Sequence, residues 1–521
     1  MLPADLNAQF DAALMADTPL AAVSRAAGDW PHQPAIGDKR RTLSFGELRA
    51  AILGLAATLA GRGVRQGDRV IIAAENTVAC VGLLYAVQVL GAWPAIMNPR
   101  IARGEAAALR ACCAPRLVVF AVDDAPAALE LSAADSVDRV VSAHVGSLLF
   151  SPTLEAKAEP VAAACTDRVA LLVFTSGTLG TPKAVMLSHA ALANLGRVLA
   201  ESRRTAAGDV VQGIAPLSHI MGVSNLMSAM HAGATLQLMP RLEMAELAAG
   251  IAGGAITHLS FVPTVYAKLV DHLETHAIAL TGSRLCYISC GGAPLDPALK
   301  RRVERVFGLR LVNGYGLTEC APGLRTRPDV DLPSDCVGWP ERGVEVRIEG
   351  ADDAEGIGEL WLRSATMMLG YYGDEAQTAA VLRPGGWLAT GDLARHCADG
   401  SIAVVGRRKE MIIRSGFNVY PAEVEAALNE IPQVLQCGVV GAKAAVGEEE
   451  IVAFIQLRSG AALDASQVHV ALRDKVAPYK RPTRIVFVAA LPLGPTGKIL
   501  KTRLVRMAEE QRGRGLTADR P

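Results

Sequence analysis

The sequence predicts an α/β protein: a large N-terminal domain of α/β subdomains plus a β subdomain, followed by a small α+β domain. Three observations predict it. Through roughly the first 330 residues, short β-branched runs alternate with helical patterns, as a parallel sheet requires. Three of those runs lead into glycine-rich segments, and open α/β sheets bind ligands at such strand ends. From about Gly338 to Val405 the texture turns to short strands and turns, and a further unit of about a hundred residues, a normal domain size, begins near Arg408.

The chain has 521 residues, enough for a large core and more than one domain. Half of them are hydrophobic, which predicts a globular protein rather than a disordered one. Lys plus Arg equals Asp plus Glu, 52 each, so no global field favours nucleic acid or an anionic membrane, and a polyanion has to be held locally. The ten cysteines are scattered without a metal-binding spacing, which predicts reduced thiols in a cytoplasmic protein. The opening residues lack the basic region of a secretory signal, and the last ones carry no lipidation or retention address.

Taken in order, Leu43-Ser44-Phe45-Gly46-Glu47-Leu48 reads as a strand end and turn opening a helix to about Arg62. Residues 68–72 read as a strand. The long apolar stretch from Cys80 to Met97 is broken by Gln88, Gly91 and Pro94, which predicts a buried helix followed by a buried strand, not a membrane span. Residues 116–120 form a further strand.

Residues 171–189 read as a strand, a glycine-rich turn and a second strand. Gly177 and Gly180 let backbone N–H groups approach a ligand, Thr175, Ser176, Thr178 and Thr181 supply hydroxyls, and Lys183 supplies charge. A polyphosphate suits that chemistry. The common phosphate loop is excluded, because Pro182 stands where it needs glycine and Ala184 where it needs Ser or Thr.

A helix follows from His189 to Arg203, then a strand over 209–214 leading to Pro216-Leu217-Ser218-His219. Val223, Leu226, Met227 and Met230 share one helical face and read as core. Residues 257–264 form a strand and a helix entry. Residues 284–289 run into Cys290-Gly291-Gly292-Ala293-Pro294, and residues 309–312 into Asn313-Gly314-Tyr315-Gly316-Leu317-Thr318-Glu319, read as a loop. In the last unit Pro421 opens a helix with Glu423 and Glu425 near its positive end. Two apolar runs, a helix and a strand over 484–488 follow, and a polar, disordered tail is expected after about Glu510. These boundaries give domains 1–407 and 408–512, with 513–521 as tail.

In this order, residues 175–183, 313–319, Thr390-Gly391-Asp392, Gly406-Arg407 and Pro495-Thr496-Gly497-Lys498 resemble the adenylate-forming acyl- and aryl-CoA synthetases. That superfamily also includes luciferases and peptide-synthetase adenylation domains. The resemblance implies ATP, Mg²⁺ and coenzyme A. A carboxylic acid would attack the α-phosphate of ATP, giving acyl-AMP and pyrophosphate, and a thiol would then displace AMP. It implies that Thr175, Ser176, Gly177, Thr178, Gly180, Thr181 and Lys183 hold the β- and γ-phosphates. Glu319 would bind Mg²⁺, which prefers hard oxygen ligands. Thr318 would contact the α-phosphate. Tyr315, with Asn313, Gly314 and Gly316, would face adenine opposite Gly291, Gly292, Ala293 and Pro294. Asp392 would accept the ribose hydroxyls, with Arg407 as a second contact. Lys498 would bridge the attacking carboxylate and the α-phosphate.

The same resemblance makes the small domain a mobile lid, with Lys409 as hinge and Ser415, Gly416 and Phe417 along the thiol channel. The acyl pocket is expected around His219, Ile220, Met221, Phe261, Val262 and Gly316, with His219 its functional polar group. These segments carry no Arg, Lys or Asp, which argues for an apolar fatty or aromatic monocarboxylate and against a dicarboxylate or an amino acid. Alternatives are transfer of the acyl group to a carrier protein's phosphopantetheine, and a non-catalytic ligand-binding homologue. Partners are therefore small molecules, without nucleic acid or an integral membrane segment.

Overall fold

The structure is a computed structural model that describes residues 17–123, 125–135, 137–176, 182–333, 336–351, 356–414, 417–443, 449–494 and 499–513. Helix α1 (Phe45–Gly61) begins where Ser44 and Glu47 cap it reciprocally, Ser44 Oγ accepting from the Glu47 N–H and Glu47 from the Ser44 N–H. Strand β1 (Arg69–Ala73) is buried throughout, as is helix α2 (Val78–Val89), and β2 (Trp93–Met97) follows. The apolar stretch is thus a buried helix and strand, as expected. Among the described residues no helix is long and apolar enough to cross a membrane.

Strands β1, β2 and β3 (Leu117–Ala121) pair in parallel. Strand β4 (Val169–Ser176) joins them beside β2 and turns back antiparallel on β5 (Pro182–Ser188). The expected strand–turn–strand is this β4–β5 hairpin. Residues 177–181, with Gly177, Thr178, Gly180 and Thr181, and the side chain of Ser176 lie outside the described residues.

Helix α3 (His189–Arg203) leads into a second sheet, in which β6 (Val210–Gly213), β7 (His258–Phe261), β8 (Tyr287–Gly291) and β9 (Leu311–Leu317) run parallel. Helix α4 (Ile220–Ala232) follows β6, and α5 (Pro263–Thr275) follows β7. The Val223, Leu226, Met227 and Met230 face is core, each residue at most 3% exposed.

One expectation fails here. Residues 313–317 are not a loop. Strand β9 continues through both glycines because β10 (Cys320–Arg325) pairs with it antiparallel, and only Thr318-Glu319 make the turn. A paired neighbour satisfies the backbone that the glycines would otherwise leave loose.

The sheet continues into the β subdomain, where β11 (Trp387–His396) and β12 (Ile402–Arg407) are antiparallel neighbours; a short helix, Glu375–Val381, interrupts the strands expected there. The small C-terminal domain packs helix α6 (Pro421–Asn429) on strands β13 (Val434–Lys443), β14 (Glu449–Leu457) and β15 (Arg484–Phe487). Helix α7 (Lys501–Gly513) closes it and extends past Glu510, where a disordered tail was expected to begin. Leu504 and Ala508, one helical face, are fully buried, and that packing keeps the segment helical.

Candidate active site

A cleft of about 1680 Å³ opens at the C-terminal ends of β6 to β9 and is bounded by the β4–β5 hairpin, the β11–β12 edge and the small domain. Its position follows from the sheet, because parallel strands all present their carboxyl ends on one side.

At one place in this cleft three residues from three strands meet. Asp392 on β11 is 3% exposed. Its Oδ2 accepts a hydrogen bond from the Tyr315 hydroxyl on β9 at 2.5 Å, and its Oδ1 an ion pair from Arg407 Nε on β12 at 2.9 Å. The register that sets Asp392 opposite Arg407 builds the second contact. Burial, and then the Asp392 carboxylate, push the Tyr315 phenol well above its ordinary pKa, so it remains a donor. The sequence assigned Tyr315 only an aromatic face; the structure adds its hydroxyl.

A second cluster joins the hairpin to the β9–β10 turn. Thr175 and Lys183 face each other across β4 and β5. The Lys183 ammonium lies 4.5 Å from the centre of the Tyr371 ring, a cation–π contact. The Tyr371 hydroxyl donates to Glu319 Oε1 at 2.8 Å. Burial and the same carboxylate raise the Tyr371 phenol. Tyr371 is there because Gly370–Tyr371 pairs with β5, opposite Val185 and Met186. Thr318, beside Glu319, is buried. Sequence reasoning missed Tyr371.

The segments expected to form the acyl pocket also converge. Gly292 has φ +78°, and a side chain there would meet Met221 Cε at 3.4 Å and Val262 Cγ1 at 3.6 Å. Gly291 lies opposite Gly314, so close that a Cβ would stand 2.9 Å from the Gly314 carbonyl oxygen. His219 stands at the position just before α4 and lines the cleft with Ile220, Phe261 and Gly316. Ala293 and Pro294 continue from Gly292, and Asn313 is buried, its N–H donating to Thr326 Oγ1 at 2.8 Å.

Asn76, a residue the sequence reading passed over, sets the segment before His219. Its Nδ2 donates to the carbonyls of Gly213, Ile214 and Ala215 at 3.2, 3.1 and 2.9 Å, and its Oδ1 accepts from the Leu217 N–H at 2.9 Å. The only sequence signal is a polar Glu75-Asn76-Thr77 break after a buried strand.

The cavity is less apolar than its segments suggested. Arg203, Lys268, Arg325 and Glu341 line it, contributed by α3, α5, β10 and the residue after the 336–340 strand.

Lys409 stands exposed in the turn after β12, where the Glu410 N–H bonds the Arg407 carbonyl at 3.0 Å. Lys498, Ser415 and Gly416 lie outside the described residues, as does the side chain of Phe417; the residues flanking Lys498, Gly494 and Leu500, both line the cleft.

Residues 23–372 match the AMP-binding enzyme family and residues 423–498 the AMP-binding enzyme C-terminal domain. The chain is 30% identical to a sulfoacetate–CoA ligase of Cupriavidus necator, covering 94% of this chain and 98% of that one. It is 32% identical to a feruloyl-CoA synthase of an Amycolatopsis species, covering 91% and 96%. Its structure superposes on that of ATP-bound MatB from Rhodopseudomonas palustris with a TM-score of 0.81, at 26% identity, over 94% of this chain and 99% of that one.

Proposed function

Because the chain belongs to the AMP-binding enzyme family and is an AMP-forming acid–thiol ligase that uses ATP and CoA, we propose how its described residues divide that work. A carboxylate is a poor electrophile, since its leaving group would be oxide. Transfer to the α-phosphate replaces that leaving group with AMP. Such an enzyme mainly positions reactants and stabilises developing charge.

The observation that carries the assignment is that the β9–β10 hairpin serves both clusters. Tyr315 reaches the Asp392–Arg407 pair, and Glu319, four residues on, accepts from Tyr371, whose ring carries Lys183. Four strand residues span at most about 13 Å. One rigid element therefore holds a nucleoside end and a phosphate end in fixed register. At the first, Asp392 exchanges its hydrogen bond from Tyr315 for the ribose hydroxyls, while its other oxygen stays paired with Arg407. At the second, Lys183 and Thr175 hold the β- and γ-phosphates together with the hairpin turn, and Thr318 contacts the α-phosphate.

Glu319 suits Mg²⁺: it is a hard oxygen donor, and its one described side-chain partner is a neutral phenol. The ion, when bound, would neutralise phosphate charge. Lys498 is assigned to the attacking carboxylate and α-phosphate, and Lys409, Ser415, Gly416 and Phe417 to the hinge and thiol channel of a mobile lid that begins at residue 408.

Met221, Val262 and Ile220 give the acid an apolar body to pack against, either alkyl or aryl. His219 stands at the mouth of that pocket. The ten cysteines are free thiols, in keeping with a reducing compartment, and we place the enzyme in the cytoplasm.

The test is acid-dependent ATP–pyrophosphate exchange over fatty, benzoic and cinnamic acids, followed by addition of CoA. Exchange with at least one class, and release of AMP on adding CoA, is expected. Exchange without release by CoA, but with release by a phosphopantetheinylated carrier, would overturn the assignment of the thiol. No exchange with any acid would overturn the catalytic reading.

A further inference from the structure

The deep end of the same cleft is charged. Arg203, the last residue of α3, faces the cavity, and its guanidinium donates from Nη1 to Asn225 Oδ1 at 2.8 Å. Asn225 is fully buried and neutral. Among the described residues no carboxylate pairs with Arg203. Glu341, the carboxylate whose charge acts on Arg203, is engaged by Arg325, whose Nε lies 2.7 Å from Glu341 Oε1. Burial, the largest influence, lowers the Arg203 pKa from its ordinary value. Arginine nevertheless remains protonated in proteins. Two cations and one anion thus leave this floor with an excess positive charge.

Polar side chains surround it. Ser224 of α4, Ser260 of β7 and Ser289 of β8 are each 7% exposed and line the same cavity, as does Tyr287 at the start of β8. Ser289 donates to Ser260 at 3.0 Å. A pocket built only for a hydrocarbon would carry apolar side chains here, because burying an uncompensated charge is costly. Asn225 occupies one of five guanidinium N–H donors and leaves the others available.

Position fixes the length of ligand that could use them. The adenylate end lies at Gly291 and Gly314, where β8 and β9 pair. Ser289 lies two residues deeper along β8 and Tyr287 four. At the rise of a strand that is roughly 7 to 13 Å.

We propose that Arg203 is the specificity-determining residue of the acid site, and that the preferred acid carries a second anionic group, a carboxylate or sulfonate, beyond an apolar spacer of about that length. This rests on the carboxylate-activating reading above and names the far end of the same substrate. The apolar residues near Met221 and Val262 hold the spacer, the reacting carboxylate stays beside Gly314 and Gly316, and the distal anion completes the charge balance that Arg203 leaves open.

Cinnamate and 4-carboxycinnamate, which differ only in the distal group, test this in two measurements: exchange kinetics and direct calorimetric binding. The wild-type enzyme is expected to favour 4-carboxycinnamate. Arg203→Leu should raise its KM and Kd about 10- to 100-fold, as expected for losing a hydrogen-bonded charge, while cinnamate changes less than about 3-fold. Arg203→Lys, which keeps the charge but not the fork, should retain part of the preference. A thermal unfolding midpoint close to wild type separates loss of recognition from loss of fold. If both acids lose affinity together in a folded Arg203→Leu protein, or if neither responds, the inference is overturned. Binding discrimination by Arg203 with no exchange for either acid would support the anion subsite and instead overturn the catalytic reading.

Discussion

At the scale of single residues, the proposed phosphate end of the site depends on a side chain that belongs to none of the motifs. Tyr371 places its ring beneath Lys183 and its hydroxyl on Glu319. Tyr371→Phe removes the hydroxyl and keeps the ring. The hydrogen bond to a charged group is worth about 1.5–3 kcal/mol, so the ATP KM should rise about 10- to 100-fold with the acid KM unchanged. Tyr371→Ala removes the ring as well and should cost more, because Lys183 loses a contact worth about 0.5–1 kcal/mol. Exchange rates over a range of ATP and Mg²⁺ concentrations measure both. If the two variants behaved as wild type toward ATP, this contact chain would be structural only. Lys183 stood out in the sequence at the end of a hydroxyl- and glycine-rich run, and Glu319 through the family resemblance of residues 313–319. Tyr371 was not, because what places it is the pairing of a two-residue strand with β5, almost two hundred residues earlier. Arg203 was hidden for a related reason: as the final residue of an amphipathic helix it reads as a surface cation until the topology turns that end toward the cleft.

At the scale of elements, the helix α4 entry shows how tightly the acid side is built. Gly222 is its third residue, and a Cβ there would lie 2.2 Å from the Pro216 carbonyl oxygen and 2.6 Å from that of Ala215. Neither is a flexible side chain. Gly222→Ala must therefore push α4 away from the segment that Asn76 clamps, carrying His219, Ile220 and Met221 with it. Overpacking of this kind costs about 1–3 kcal/mol, which urea unfolding would record. We also expect at least a 10-fold loss of acid-dependent exchange, mostly in the KM for the acid. A stability loss with that KM unchanged would show that the close approach serves folding and not substrate placement. Element types were readable here from periodicity and from the Pro and Gly breaks. The continuation of β9 through Gly314 and Gly316 was not, because glycine-rich sequence marks a loop only where no neighbouring strand pairs with it, and β10 supplies that neighbour.

At the scale of the whole molecule, residues of both domains line one cleft, and the proposed hinge makes their relation a control on which half-reaction the site runs. Gly494 and Leu500, on either side of the segment that holds Lys498, line it from the small domain. Lys501 follows, held between Glu410 and Glu425 at 3.0 Å each; burial pushes its pKa down, but the two carboxylates outweigh that and hold it raised. Glu410 belongs to the turn after β12, so the helix that closes the small domain is tied to the turn that joins the domains. Within that turn Lys409 is the free element: it is exposed, and no described backbone hydrogen bond uses its N–H. Lys409→Pro therefore sacrifices no hydrogen bond while fixing φ at the proposed hinge. If the small domain must rotate between steps, acid-dependent pyrophosphate exchange should stay within about 3-fold of wild type. CoA attack on a supplied acyl-adenylate should slow at least 10-fold, equivalent to about 1.4 kcal/mol on the barrier. Lys409→Gly, which loosens the same bond, should spare both. Proline at the third place of a turn also presses the preceding residue, Arg408, out of the helical region. An equal fall in both half-reactions would thus report a damaged turn and remove Lys409 as the hinge, whereas a split between them requires that the two steps use different placements of the small domain.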